Sequence, residues 1–512
     1  MRLYHIALLI AGFILFQFCK NSNATSEKQA VINNPTPSGK SGKELSEIYC
    51  GSCHQYPTPD LLDKTNWTKG LLPNMGARLG IKTTNYNPLK GLGIEDQIMI
   101  DAENIYPKTP MLAQEDWDKI VAFYQNEAPE KLADNKPVAV SYLKNFVVKK
   151  PNINLQPFLT LVQITDNQIY LGSLDGKLLM LDKQLKQVDS LQFNAPPVAF
   201  FKEKDNSLNV LTIGKIYPNE QQTGAFFNIA DKHAVEQFGN LRRPVHFTEA
   251  DLTGDGVNEI IVCEYGYQKG QLTWYEKKNN QWYTHILATS AGASKVVAQD
   301  FNKDGLMDLA VLMAQSNEHI SIFYNKGMGN FEEKQVVHFP PIYGSCDMQI
   351  VDFDGNGTLD ILYTNGDNAD FSMVLKPYHG IRVYLNDGKD NFTEGVFYPL
   401  HGAFQAVAAD FDMDGDMDIA AVSYFPDDIK RPASNFVYLE QTQSRVFKTQ
   451  TIKEAVQGKW MTLSVGDYDN DGDKDILIGS FMLSMTHSSQ VEKREKIVPF
   501  LLLENTHRAA NR

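Results

Sequence analysis

Two kinds of short sequence in this 512-residue chain contain residues whose types and spacing could support chemistry. The first kind is Cys50-Gly-Ser-Cys53-His54. Thiols at this spacing lie one helical turn apart and can add to the vinyl groups of a porphyrin, and the adjacent histidine can ligate the iron. A redox-active cysteine pair or half of a zinc site has the same spacing, but residues 43–130 contain no second pair of zinc ligands. We therefore expect one covalently attached haem c, bound through Cys50 and Cys53 with His54 as an axial ligand.

The second axial ligand of that iron is open between two methionines. Met111 lies in Pro-Met-Leu just before a segment with helical spacing, and this position resembles that of the methionine ligand in small class I cytochromes c. Met75 lies in Leu-Pro-Asn-Met-Gly, on a helical stripe with other apolar residues. Packing in a hydrophobic core would account for either residue. A second histidine is not an alternative, because residues 43–130 contain only His54.

The second kind of sequence occurs five times and alternates oxygen-bearing side chains. Its clearest copy, Asp467-Tyr-Asp-Asn-Asp-Gly-Asp-Lys-Asp475, has such side chains at positions 1, 3, 5 and 9 and glycine at position 6. Ca²⁺ binds about six to eight oxygens, which carboxylates supply, and glycine permits the sharp bend of the loop. Position 7 would contribute its backbone carbonyl, so its side chain would be unrestricted.

The five copies predict up to five Ca²⁺ ions. Their candidate ligands are Asp251, Thr253, Asp255 and Glu259; Asp300, Asn302, Asp304 and Asp308; Asp352, Asp354, Asn356 and Asp360; Asp410, Asp412, Asp414 and Asp418; and Asp467, Asp469, Asp471 and Asp475. We name the copies loops 3 to 7, after the blades to which the sequence assigns them. Such densely charged loops should need the cation for their stability.

The starts of the loops, at residues 251, 300, 352, 410 and 467, recur at a nearly regular interval. A period of about 50 residues with roughly four short strands per unit is typical of a β-propeller. These repeats resemble the FG-GAP/VCBS family, whose blades carry a calcium loop between their first and second strands. The match is close in loops 4, 6 and 7. It is looser in loop 3, where Thr253 and Glu259 replace the usual side chains and weaker binding is expected.

The predicted fold class is an all-β seven-bladed β-propeller preceded by a small all-α cytochrome c domain. Residues 43–130 form the cytochrome domain, with helices expected at Gly42–Cys50 and Gln114–Glu127. Residues 151–507 form the propeller. Two strand-rich units without calcium loops, at Leu159–Asp182 and Val198–Ala230, complete the seven blades.

The last blade lacks an outer strand, and residues 131–150 are expected to serve as a linker that supplies it. Either Val138–Tyr142 or Phe146–Lys149 could take this place and so remove an exposed sheet edge. Closure of this kind would hold the cytochrome domain against the seam between the first and last blades.

The beginning of the chain predicts export. Residues 1–24 read as a signal peptide with an apolar core at Ile6–Phe18, and residues 25–42 as a flexible tether. Cleavage after Ser22-Asn-Ala24 and lipidation of Cys19 are both open, although Phe18 departs from the small residue usual in lipoprotein signals. The expected location is outside the cytoplasm, in a bacterial periplasm or as an outer-membrane lipoprotein attached through Cys19.

The channel of the propeller is the candidate site for a substrate or ligand. Counting five residues back from each loop gives polar residues that should ring its mouth on the face opposite calcium: His246, Lys295, Asp347, Gln405 and Thr462. Such convergence suits a ligand pocket, although channel mouths are also commonly polar and water-filled. The net charge of -14 argues against a nucleic-acid partner.

These features favour an exported electron-transfer protein in which the propeller binds a redox partner protein, a small molecule or a glycan. One alternative is an oxidoreductase that passes substrate electrons from the channel to its own haem. Another is an adhesion propeller. The repeat resemblance implies binding more often than catalysis.

Overall fold

A computed structural model of the chain describes residues 35–83, 85–135, 138–165, 167–369, 372–482 and 497–507. The predicted signal peptide at residues 1–24, Cys19 and the tether up to residue 34 lie outside the described residues. Within the described part, no helix combines the length and apolar character needed to cross a bilayer.

A small group of helices precedes the propeller. The helices are α1 (Gly42–Cys50), α2 (Leu72–Arg78), α3 (Ile94–Ala102) and α4 (Gln114–Glu127), with a 3₁₀ turn at Pro59–Leu61 and a wider helical turn at Asn66–Leu71 before α2. The first and last helices have the predicted limits. Ser41 caps α1 by accepting the backbone N–H of Glu44, whose side chain in turn accepts the N–H of Ser41. Gly42 packs against the backbone carbonyl of Lys119, which permits a close crossing of α1 and α4.

Seven sheets follow, and the propeller is thereby seven-bladed. Before them come two strands, β1 (Ser141–Tyr142) and β2 (Phe146–Lys149). Blade 1 contains β3 (Leu159–Thr165), β4 (Gln168–Ser173), β5 (Lys177–Leu181) and β6 (Gln187–Gln192). Blade 2 contains β7 (Pro197–Lys202), β8 (Leu208–Thr212), β9 (Gln222–Ala230) and β10 (His233–Arg242).

The next three blades repeat the same antiparallel order. Blade 3 contains β11 (Pro244–Ala250), β12 (Glu259–Glu264), β13 (Gln271–Lys278) and β14 (Gln281–Ala288). Blade 4 contains β15 (Ala293–Gln299), β16 (Asp308–Met313), β17 (His319–Asn325) and β18 (Phe331–His338). Blade 5 contains β19 (Ser345–Val351), β20 (Asp360–Asn365), β21 (Gly380–Asn386) and β22 (Phe392–Pro399).

The last two blades incorporate the strands that precede the propeller. Blade 6 contains β23 (Ala403–Ala409), β24 (Asp418–Ser423), β25 (Phe436–Gln443) and β26 (Val446–Thr451), and β1 pairs with β26 in parallel as a fifth strand. Blade 7 contains β27 (Trp460–Gly466), β28 (Asp475–Ser480) and β29 (Phe500–Asn505). Its outer strand is β2, which pairs antiparallel with β29 through Phe146↔Asn505 to Lys149↔Leu502. The N-terminal side of the propeller therefore completes its C-terminal blade.

Second strands are the most deeply enclosed part of each blade. All six residues of β12, β16, β20, β24 and β28 are buried. Their apolar side chains pack into clusters that join each blade to its neighbour, and this shared packing makes the ring continuous.

The helical domain lies on the propeller face opposite loops 3 to 7. The helices contact the connections that follow the second or fourth strand of a blade. In an antiparallel blade these connections lie on the face opposite the loop between the first and second strands. Arg78 hydrogen-bonds Gln268 of blade 3, Asp96 accepts the Glu220 N–H of blade 2 at 3.0 Å, and Tyr378 of blade 5 donates to the Leu61 carbonyl at 2.9 Å.

The predicted attachment of this domain at the seam between the first and last blades is therefore wrong. Although β2 closes blade 7, the linker carries the chain away across blades 5 and 6. Asn135 donates to the Pro377 carbonyl at 2.9 Å, and Asp134 pairs with Lys430 at 2.5 Å. The contacts of Arg78, Asp96 and Leu61 instead place the helices over blades 3, 2 and 5.

Candidate haem, calcium and channel sites

His54 has the orientation expected of an iron ligand. The Cys-x-x-Cys-His sequence begins at the last residue of α1, and Nδ1 of His54 lies 3.0 Å from the Gln55 carbonyl. A histidine whose Nδ1–H is held by a backbone carbonyl presents Nε2 as a ligand. Burial lowers the pKa of His54, and the nearby Arg78 cation lowers it further, so the neutral imidazole that iron requires is favoured.

The two thiols of this sequence are not joined in a disulfide. Cys53 is exposed, whereas Cys50 is partly enclosed beside Tyr124. Burial raises the pKa of the Cys50 thiol to about 11, so this sulfur is not an activated thiolate of the kind found in redox-active cysteine pairs.

The two candidate methionines have different surroundings. Met75 lies in α2 and packs against the helical core, which includes Trp67 and Trp117. Met111 lies just before α4 and is 57% exposed, and its backbone N–H donates to the Leu79 carbonyl at 2.9 Å. The thioether of Met111 is thus the one not engaged in core packing.

Loops 3 to 7 each connect the first and second strands of a blade. In every loop, position 9 is the first residue of the second strand. In three loops, carboxylate oxygens from three residues lie within 4.8 Å of one another: Asp352, Asp354 and Asp360; Asp410, Asp412 and Asp414; and Asp467, Asp469 and Asp475.

Position 1 shapes each loop. In loop 7, Asp467 accepts backbone N–H groups from Asn470 at 2.6 Å, Asp471 at 3.1 Å and Gly472 at 3.0 Å. The same bond to the position-6 glycine recurs in loops 3, 4, 5 and 6, where that glycine has a positive φ. The loop backbone therefore curls around its own first carboxylate, and glycine makes this curl possible.

Position 9 has a structural task in addition to its predicted ligand role. Asp475 is fully buried and accepts the N–H of Tyr468 and the N–H of Asn505, both at 2.9 Å. Asp308 and Asp360 make the equivalent pairs of bonds. In loop 3, the longer Glu259 reaches the Leu252 N–H at 2.7 Å. These carboxylates join the loop, the second strand and the end of the third strand.

The electrostatics of loops 6 and 7 favour cation binding. Burial raises the pKa values of Asp418, Asp473 and Asp475 to about 7, and neighbouring carboxylates contribute to each rise. In loop 3, by contrast, the Thr253 hydroxyl is buried without a hydrogen-bond partner among the described residues. A divalent cation would relieve the repulsion between carboxylates at such sites.

Sequence reasoning missed a set of asparagines that connect the loops of neighbouring blades. Asn325, at the end of β17, donates from Nδ2 to the Leu252 carbonyl in loop 3 at 2.9 Å. Asn505, at the end of β29, donates in the same way to the Phe411 carbonyl in loop 6 at 2.7 Å. The signal that could have revealed them is the recurrence of Asn as the last residue of the third strand in blades 4, 5 and 7.

The predicted channel residues form a connected chain along neighbouring first strands. Lys295 Nζ lies 3.3 Å from Asp347 Oδ1, and Gln405 contacts Asp347 from the next blade. His246 accepts the Val296 N–H at 3.5 Å.

Gln405 and His246 also connect adjacent blades. Gln405 of blade 6 accepts the Leu463 N–H of blade 7 at 2.7 Å, and His246 of blade 3 accepts the Val296 N–H of blade 4. Burial, aided by the Lys295 cation, lowers the pKa of His246 far below its usual value, and burial raises the pKa of Asp347. Thr462 is placed apart from the chain. It pairs with Gly479 across the blade, and no described residue bonds its buried hydroxyl.

The comparisons with known proteins agree with the repeats. A family of FG-GAP-like repeats matches residues 251–311 and 300–363, which contain loops 3 to 5. The chain is thus a seven-bladed β-propeller that carries FG-GAP-like repeats, an architecture consistent with binding a ligand or partner.

Solved structures with similarity to this chain share little sequence with it. BBS1N, in a crystal structure with ARL6DN soaked with mercury, is 9% identical with a TM-score of 0.42, covering 72% of this chain and 98% of that one. The N-terminal domain of Nup159 is 10% identical with a TM-score of 0.42, covering 73% and 99%. No curated protein matches the sequence.

Proposed function

We propose that this protein is an exported electron carrier in which a haem c domain is joined to a calcium-stabilised propeller that binds a partner or ligand. The observation that supports the haem most directly is the placement of His54, whose Nδ1 is occupied by the Gln55 carbonyl and whose Nε2 is the remaining ligand atom. Cys50 and Cys53 would attach the porphyrin through thioethers. Bound haem c supplies a one-electron redox centre.

The chain's own residues would set the surroundings of that centre. Arg78 lies near His54 and also bonds Gln268 of blade 3, so it connects the iron-binding histidine to the propeller. We infer that Met111 would be the second protein ligand of the iron, because Met75 packs against the core of the helical domain whereas Met111 is exposed. Residues of loops 3 to 7 would hold Ca²⁺ and take no part in electron transfer.

The experiment is a pyridine haemochrome spectrum of protein produced in a host competent for cytochrome c maturation. We expect one covalent haem per chain, and none in the Cys50→Ala, Cys53→Ala double variant. Cys263→Ala is the matched control, because Cys263 is a buried cysteine of blade 3. Absence of covalent haem from the unmodified chain would refute the proposal.

The axial methionine is tested by its sulfur-to-iron absorption in the ferric protein. Met111→Ala should abolish this band while covalent haem is retained, and Met75→Ala should preserve it. The reverse result would assign the ligand to Met75.

A second candidate function is a haem-linked oxidoreductase, which one observation favours. Lys295 and Asp347 lie near the beginning of their first strands, which is the end nearer the helical domain. A substrate bound beside them in the channel would therefore be on the haem side of the molecule. Anaerobic reduction of the haem by a small alcohol or sugar, lost in Asp347→Asn, would support this enzyme. Reduction only by a partner protein would support the carrier.

A further inference from the structure

Loop 7 contains a carboxylate that the repeat pattern does not assign. Asp473 is at position 7, where a calcium loop of this type needs only a backbone carbonyl, yet its side chain is 3% exposed. Neither of its carboxylate oxygens has a hydrogen-bond partner among the described residues. An ionised side chain so deeply buried without donors is costly unless a cation accompanies it.

The neighbours of Asp473 are themselves acidic. Its carboxyl group faces that of Asp471 and lies near those of Asp475 and Asp469. Asp475 accepts two backbone N–H groups, and in its ionised form it offers no donor to Asp473. The buried oxygens therefore lie among acidic neighbours, two of which, Asp469 and Asp475, belong with Asp467 to the group whose oxygens approach within 4.8 Å of one another.

Loop 6 has a weaker counterpart of this arrangement. Asp416 occupies position 7 of loop 6 but is only half-buried, its side chain also bonds Gln441, and one of its oxygens lacks a partner among the described residues. Loops 3, 4 and 5 have Val257, Leu306 and Thr358 at position 7. Among the described residues, a buried position-7 carboxylate with neither oxygen partnered is thus a feature of loop 7.

We propose that Asp473 is a direct ligand of the cation in loop 7. This loop then binds Ca²⁺ through five carboxylates and fills before loops 3 to 5. Additional anionic ligands raise the affinity of oxygen sites for Ca²⁺. The inference rests on the proposed calcium binding of the repeats and extends it to a ligand and an order of filling.

Loop 7 offers a reporter of its own. Tyr468 occupies position 2, where loops 4, 5 and 6 have phenylalanine and loop 3 has leucine. Excitation of Tyr468 should therefore sensitise the emission of terbium bound in loop 7. The part of the terbium emission that is lost in Tyr468→Phe is the signal from loop 7. Comparing terbium lifetimes in H₂O and D₂O then counts the water molecules on the bound ion.

The test is a terbium titration of the decalcified full chain, followed by competition with Ca²⁺. We expect Asp473→Ala to weaken loop 7 by about tenfold or more and to add about one water to its ion. Asp205→Asn is the matched control, because Asp205 is exposed in the corresponding connection of blade 2 and should leave both quantities unchanged.

Two results would overturn the ligand assignment. One is unchanged affinity and hydration in Asp473→Ala. The other is weaker binding without the extra water, which would make Asp473 a distant charge. Failure of the calcium proposal itself looks different, because the unmodified chain would then give no Tyr468-sensitised emission that Ca²⁺ displaces.

Discussion

The helical domain and the propeller depart from ordinary packing in different ways. In the helical domain, α3 exposes Ile94 by 76% and Ile98 by 64% while it buries Asp96. In the propeller, the position-9 carboxylates are the first residues of the most buried strands, and Asp475 is 0% exposed. Soluble proteins normally place these residue types the other way round.

The contrast indicates what kind of partner each region needs. Asp96 is accounted for by the Glu220 N–H that it accepts, but nothing among the described residues covers Ile94 and Ile98. Exposed apolar side chains of this kind suit a large apolar group or a partner surface. Buried carboxylates instead suit backbone N–H donors and cations. The first region therefore suits an apolar ligand or partner surface, and the second suits cations.

Removal of calcium should produce the largest change in the propeller. We expect EDTA to lower the melting temperature by about 10 °C or more, because each bound ion stabilises the folded state by mass action. Differential scanning calorimetry measures this, and added Ca²⁺ should restore the original value. An unchanged melting curve would show that the buried carboxylates of the propeller hold no stabilising cation.

The pH dependence of the metal-free protein should have a particular sign. The pKa values of Asp418 and Asp475 are raised to about 7 in the folded chain, above their value in the unfolded chain. The folded state therefore holds more protons between about pH 4 and pH 7, so the free energy of unfolding falls as pH rises through this interval. Urea denaturation in EDTA should show this fall, and Ca²⁺ should diminish it. A rise over the same interval would contradict it.

Replacement of one position-9 carboxylate should have a smaller effect that persists without calcium. In Asp475→Asn, the amide NH₂ would face one of the two backbone N–H groups from which the carboxylate accepts hydrogen bonds. We expect this clash of donors to lower the free energy of unfolding by about 2 kcal/mol or more. Urea denaturation in EDTA isolates this loss. Asp205→Asn should leave the free energy of unfolding unchanged, and equal values for both variants would show that Asp475 is only a metal ligand.

Loss of a connection between two loops should have the smallest effect. Asn325→Ala removes the hydrogen bonds that its side chain donates to the Leu252 and Met307 carbonyls and accepts from the Gly327 N–H, and should cost about 1.5 kcal/mol. Because the Leu252 carbonyl belongs to loop 3, we also expect weaker Ca²⁺ binding there. Asn391→Ala, in an exposed hairpin, is the control for denaturation and calcium titration. A change in stability alone would mean that the loops do not communicate.

Periodic features of the sequence were enough to predict the ring. Five glycine-containing acidic loops indicated the period, and the predicted limits of α1 and α4 agree with the structure, with apolar spacing as the signal for α4. The closing strand could be narrowed to two segments, of which Phe146–Lys149 became the outer strand of blade 7.

Contacts between distant parts of the chain could not be read in the same way. Lys149 hydrogen-bonds the Tyr468 hydroxyl and forms an ion pair with Glu504, both more than 300 positions away. No local sequence pattern predicts such contacts. The position of the helical domain was mispredicted for the same reason, because it depends on Arg78, Asp96 and Tyr378 finding partners on three blades. The side chain of Asp473 was judged unrestricted because loop spacing does not reveal burial.

A metal inventory of the mature, purified chain tests the central claim most directly. Elemental analysis of protein matured in a cytochrome c-competent host and dialysed against dilute Ca²⁺ should give one iron and up to five calcium ions per chain, with the iron retained under denaturing conditions. Protein that carries neither iron nor calcium would contradict the account.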